Sequence, residues 1–94
     1  MNNNFELNID KIITKLAGNP LGKRIFQEQI KSEINYNEDI VIIIPDRIDS
    51  IASSFIQGFF EEIVKNIGIA GIEEKITIQS SIPNLKQLII QNLI

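Results

Sequence analysis

The sequence predicts a small α/β domain on a mostly parallel or mixed sheet. Three observations predict it. The chain has 94 residues, which suits one domain. Short β-branched runs alternate with segments whose apolar residues recur at helical spacing, an order that implies parallel strands joined by helical crossovers. Gly, Pro and Asn stand at the boundaries between these segments.

Asn2–Asn4 reads as a frayed end, so residues 1–4 are expected to be a disordered terminus and residues 5–94 the domain. Phe5-Glu6-Leu7-Asn8-Ile9 alternates apolar and polar, the pattern of a half-buried strand that could pair either way. Asp10 then caps a short helix carrying Ile12, Ile13 and Leu16 with Gly18 as its stop, or the strand continues through Ile13. Gly18-Asn19-Pro20 marks a turn. From Leu21 the period becomes helical, with Ile25, Phe26, Ile30 and Ile34 on one stripe and Lys23, Arg24, Gln27, Glu28 and Lys31 largely off it.

Asn35–Asp39 is a polar break. Ile40-Val41-Ile42-Ile43-Ile44 is bounded by Asp39 and Pro45 and is too short for a helix. Its lack of alternation predicts a central strand buried on both faces. After the loop from Pro45 to Ala52, Ser53 or Ser54 is expected to cap a long helix. Phe55, Ile56, Phe59, Phe60, Ile63, Val64 and Ile67 cover about half of its circumference at ~100° per residue. Gly68 should end it, and Gly58 falls on its polar side, where it costs ~1 kcal/mol against Ala. Glu73–Gln79 alternates as a more exposed strand. Ser81-Ile82-Pro83 opens a last helix striped by Leu85, Leu88, Ile89 and Leu93.

Composition removes whole classes of chemistry. With no His and no Cys there is no Ser–His–Asp or Cys–His mechanism, no Cys/His zinc site and no disulfide. Nine Lys/Arg against twelve Asp/Glu leave a net charge of −3, a poor match for a phosphate backbone, so no nucleic-acid partner is expected. No apolar run approaches the ~18–20 residues that span a bilayer, and Met1–Phe5 does not read as a signal peptide. The reading is a cytoplasmic, non-enzymatic protein with no membrane association and no cofactor. The acidic pairs Glu61-Glu62 and Glu73-Glu74 lack a partnering base and read as solvated faces. Gly18-Asn19-Pro20-Leu21-Gly22-Lys23 lacks the spacing of a phosphate loop.

One loop remains of interest. In an open α/β sheet, sites form beyond the carboxyl ends of the strands. The segment after Ile44 holds Asp46, Arg47, Asp49, Ser50, Ser53 and Ser54 and runs into a helix start, where free N–H groups favour an anion. A phosphate on a serine there would be favoured locally and would add ~1.5–2 negative charges to any face that docks on it. Ser at a helix start also simply satisfies a backbone N–H, worth ~1 kcal/mol, and Asp46 and Asp49 are common turn formers.

The segment Ile51–Val64, with Leu21-Gly22-Lys23-Arg24-Ile25-Phe26 and the strand Ile40–Ile44 upstream, resembles the STAS-like domain family of unknown function, related to the STAS domains of anti-sigma-factor antagonists. The resemblance spans about residues 5–93. It implies a STAS-like fold with helices mainly on one face, and a signalling role. The chain would dock on an ATPase-fold, histidine-kinase-like serine kinase, and the complex would weaken when a serine at the helix start is phosphorylated. Ser53 takes the acceptor position, followed by Ser54. Ala52 stands where the related box has Asp, and Phe55 where it has Gly. The expected partner-facing residues are Asp46, Arg47, Asp49, Ser50, Phe55, Gln57 and Gly58. Two other readings stand beside this one. One is a constitutive interaction or oligomerisation module, such as a homodimer using Phe55 or Phe60. The other is a small-anion or nucleotide sensor at the same helix start with Arg47.

Overall fold

A computed structural model describes residues 3–94 of the chain. The elements run β1 (Asn4–Glu6), β2 (Lys15–Leu16), α1 (Asn19–Gln29), β3 (Ile40–Ile43), β4 (Ser50–Ile51), α2 (Ser53–Lys75), β5 (Ile76–Gln79) and α3 (Leu85–Leu93). This is an α/β domain. β1, β3 and β5 form a parallel sheet in that order, with Phe5 opposite Ile42 and Ile42 opposite Ile78. β2 and β4 form a second, two-stranded parallel ladder, Lys15 opposite Ser50 and Leu16 opposite Ile51.

Side chains alternate across a strand, and here that alternation separates core from surface. Phe5, Ile40, Ile42 and Ile76 are buried on the face covered by the helices. Asn4, Glu6, Thr77 and Gln79 are exposed on the opposite face, and Val41 and Ile43 are only half-buried between them. The expectation that the central strand is buried on both faces is therefore corrected. A run of β-branched residues reports a preference for the extended chain, whereas burial depends on which side the helices take.

α2 is the central helix. It packs against α1 on one flank and α3 on the other, over the sheet. Phe59 is the hub of its apolar side, edge-on to Phe26 of α1 with ring centroids 5.8 Å apart and stacked beside Phe55 at the same separation. A helix enclosed on three sides needs an apolar arc wider than the stripe of a surface helix. That is why Phe55 and Phe60 are buried, at 3% and 4% exposure, and form no exposed self-association patch.

Gly58 lies at the α1–α2 crossing, not on a polar flank. A Cβ there would run into the Asn19 carbonyl oxygen, with Asn19 C and Cα each 3.0 Å away. Gly22 faces it from α1, and a Cβ on Gly22 would meet the Phe55 carbonyl oxygen and lie 2.7 Å from the Phe59 nitrogen. The two glycines let the helix backbones approach where any side chain would hold them apart.

Several boundaries differ from the sequence reading. The chain after Asp10 makes a turn, with Ile12 N donating to Asp10 Oδ1, and not a short helix. α1 begins at Asn19 with Pro20 in its first turn. Gly68 ends the first helical segment of α2, as expected, at φ 67° and ψ 177°, but a second segment follows to Lys75, so β5 starts at Ile76 and not at Glu73. α3 starts at Leu85, after Asn84 at φ 57°. Of the terminus expected to be disordered, Met1 and Asn2 lie outside the described residues, whereas Asn4 opens β1. Asn3 is anchored by its side chain, which donates to the carbonyls of Asn35 (2.9 Å) and Asp39 (2.8 Å) and accepts from Asn35 N.

Candidate functional site

The carboxyl ends of β1 and β3 both feed segments that continue side by side. Beyond β1 the chain reaches β2; beyond β3 it reaches β4. The two are stitched together by Asp49 N donating to the Thr14 carbonyl and Ala52 N to the Leu16 carbonyl, each at 2.8 Å. Pro45 starts a turn closed by Ile48 N donating to its carbonyl, which buries Ile48 and leaves Asp46, Arg47 and Asp49 exposed. Ser81 Oγ donates to the Asp46 carbonyl at 2.9 Å and ties in the segment after β5.

The start of α2 is set by this ladder. Ala52 makes the last strand bond through its N–H, and its carbonyl accepts the first helical bond from Ile56 N. Ala52 is thus the N-cap, in an extended conformation with no side-chain cap bond. The expectation that Ser53 or Ser54 caps the helix is corrected: both lie in its first turn, where their side chains are not needed to close it. Ser53 is exposed, and no hydrogen bond from the described residues reaches its hydroxyl. Ser54 is half-buried and its Oγ accepts from Gly18 N at 3.1 Å, joining the start of α2 to the start of α1. The two serines therefore differ in environment: one hydroxyl is free, the other holds two helices together.

The residues expected to face a partner divide. Asp46, Arg47, Asp49, Ser50 and Gln57 are exposed. Phe55 and Gly58 are buried in the α1–α2 contact and cannot belong to a docking surface. Their aromatic and glycine identities serve the helix crossing instead. Asp49 pairs with Lys15 at 3.2 Å, both side chains well exposed. Gln57 Nε2 reaches the Asn92 carbonyl of α3 at 3.4 Å.

No protein-family model, curated protein or solved structure matches the chain.

Arg47 turns away from the α2 start. Its guanidinium donates to the Ile9 carbonyl and lines a crevice of about 380 Å³ between residues 6–9, Lys11 and Pro45. Among the described residues neither Lys11 nor Arg47 forms an ion pair; the three pairs there are Lys15–Asp49, Lys23–Glu61 and Lys31–Glu62. Glu6 and Lys11 of this crevice escaped the sequence reading because they lie outside the serine-bearing loop, and a lone Lys after Asp carries no motif. Among the described residues no group of three or more Asp or Glu side chains is disposed to hold a metal ion. No helix among them is long and apolar enough to cross a membrane.

Proposed function

We propose that this chain is a non-enzymatic, STAS-like regulatory module of the cytoplasm. It docks on an ATPase-fold serine kinase through the exposed residues around the α2 start, and phosphorylation at Ser53 opposes that docking. The observation that carries the reading is the free, exposed hydroxyl of Ser53 in the first turn of α2. A helix start presents unpaired N–H groups and a partial positive charge, so a phosphate on that hydroxyl is stabilised locally. Its ~1.5–2 charges would be felt by any surface seated there. Asp46, Asp49 and Ser50 on the segment leading into α2, and Gln57 one turn into it, are exposed polar residues. Ser54, tied to Gly18, is the poorer acceptor, because modifying it breaks a bond between helices.

Titration calorimetry against bacterial ATPase-fold anti-sigma kinases tests the reading. Wild type and Ser53→Ala should bind alike and Ser53→Asp more weakly, since a fixed charge enters a contact that prefers neutrality. Equal binding by all three would end the switch, and no binding by any would end the docking. A constitutive interaction module is the second reading. It is favoured by Leu88 of α3, 40% exposed, and Ile94, 87% exposed. Light scattering showing a strict monomer would remove its self-association form.

A further inference from the structure

We infer that the crevice between the carboxyl ends of β1 and β3 binds a small oxyanion, a phosphate or carboxylate group of a soluble ligand, through Lys11 and Arg47. The crevice lies beyond the carboxyl ends of β1 and β3, neighbouring parallel strands of the sheet. The volume of about 380 Å³ is in the range of ~300–1,000 Å³ that small ligands occupy.

Charge carries the inference further than position does. The chain as a whole is acidic, at −3, yet this crevice has two cations and one carboxylate, Glu6. Among the described residues neither cation is neutralised by a neighbour, whereas Lys15, Lys23 and Lys31 each hold a carboxylate. One guanidinium nitrogen of Arg47 lies against the Ile9 carbonyl, a neutral acceptor that leaves its charge for a ligand. The loop that bears it is held at the Pro45–Ile48 turn and by Asp49 N on the Thr14 carbonyl. A planar guanidinium beside a flexible ammonium is a common way to take phosphate or carboxylate. Glu6 sets the ligand's direction: its anion lies toward Lys11 and Arg47 and its neutral part toward β1.

This inference does not rest on the kinase reading, because Ser53 takes no part in it. Amide chemical shifts of the whole chain, titrated with inorganic phosphate, citrate and chloride at constant ionic strength, test it. Saturable shifts confined to residues 6–11 and 45–48 are expected for phosphate, citrate or both, which identifies the preferred group, and none for chloride. Lys11→Ala should weaken binding by roughly tenfold, the scale of one charge-assisted hydrogen bond. Glu6→Gln should tighten it, and Ser53→Ala should leave it unchanged. Arg47→Ala should abolish it; if that variant does not fold, Lys11→Ala and Glu6→Gln decide. Shifts that never saturate, or that chloride reproduces, would overturn the inference. So would Lys15→Ala weakening binding as much as Lys11→Ala.

Discussion

Replacing Gly58 by Ala sets two physical effects against each other, and the structure decides the sign. Helix propensity alone favours the change by about 1 kcal/mol, because Gly loses more backbone entropy than Ala. The added methyl, however, would run into the Asn19 carbonyl oxygen and stand 3.0 Å from two further backbone atoms of that residue. Backbone cannot rotate away as a side chain can, so α1 and α2 must move apart. That loosens the Phe26–Phe59 and Phe55–Phe59 contacts on the same interface. Overpacking costs ~1–3 kcal/mol, and a backbone obstacle belongs at or beyond the top of that range. The net expectation is a loss of about 2 kcal/mol. At ~4–8 °C per kcal/mol for a domain of this size, Tm falls by roughly 8–16 °C. Urea and thermal unfolding followed by circular dichroism measure it, with Gln27→Ala on the exposed side of α1 expected to stay within ~0.5 kcal/mol of wild type. A Gly58→Ala protein as stable as wild type, or more stable, would refute the close crossing and with it the account of why this helix carries a glycine.

Three further outcomes are expected. Ser54→Ala should cost about 1 kcal/mol in urea unfolding through loss of the Gly18 bond, while Ser53→Ala should change stability by less than ~0.5 kcal/mol; the reverse order would contradict their different engagement. Burial, reinforced by the Glu62 carboxylate and opposed by a hydrogen bond with Asn66, raises the phenol of Tyr36, the only tyrosine, above its ordinary 10.0. The raised value belongs to the folded state, so its stabilisation is complete below pH 10.0 and disappears as pH rises through the folded value. Unfolding measured from pH 9 to 12, against a Tyr36→Phe reference, should show this extra alkaline loss in wild type only, with the ionisation followed by ultraviolet absorbance (pH range about one unit below to two above the free phenol). Asn3→Ala should cost ~1–2 kcal/mol, because one side chain joins the start of the sheet to the 35–39 loop through three short bonds, and a neutral result would show that the amino end is held by other means.

Much of the fold was legible because apolar periodicity reports it directly. The run Ile40–Ile44 marks the central strand, and the wide apolar arc from Phe55 to Ile67 marks the central helix. The features that escaped had no hydropathic signature. Gly58 has no side chain to place on a wheel, so its role in the crossing emerges only when Asn19 is seen against it. The two-residue strands β2 and β4 are too short for any alternation, and they exist because the chain beyond β1 lies beside the chain beyond β3. Ala52 took the cap that sequence preference gives to serine, since the cap falls where the β4 ladder ends. Of the α2 start, the position of Ser53 was legible and the difference between Ser53 and Ser54 was not, because it depends on Gly18, 36 residues upstream of Ser54.

Lys75 is the last residue of α2 and Ile76 the first of β5, so no loop separates the two elements. Helix phase and strand register are geared together at this joint. Adding or removing one residue between Gly68 and Ile76 would turn the downstream chain by about 100° and present Thr77 to the core in place of Ile76 and Ile78. Homologous chains should therefore keep this stretch at constant length. Their insertions and deletions should gather instead at the exposed turn positions between α1 and β3, Ser32, Glu33 and Asn37, where added length transmits no rotation to a following element.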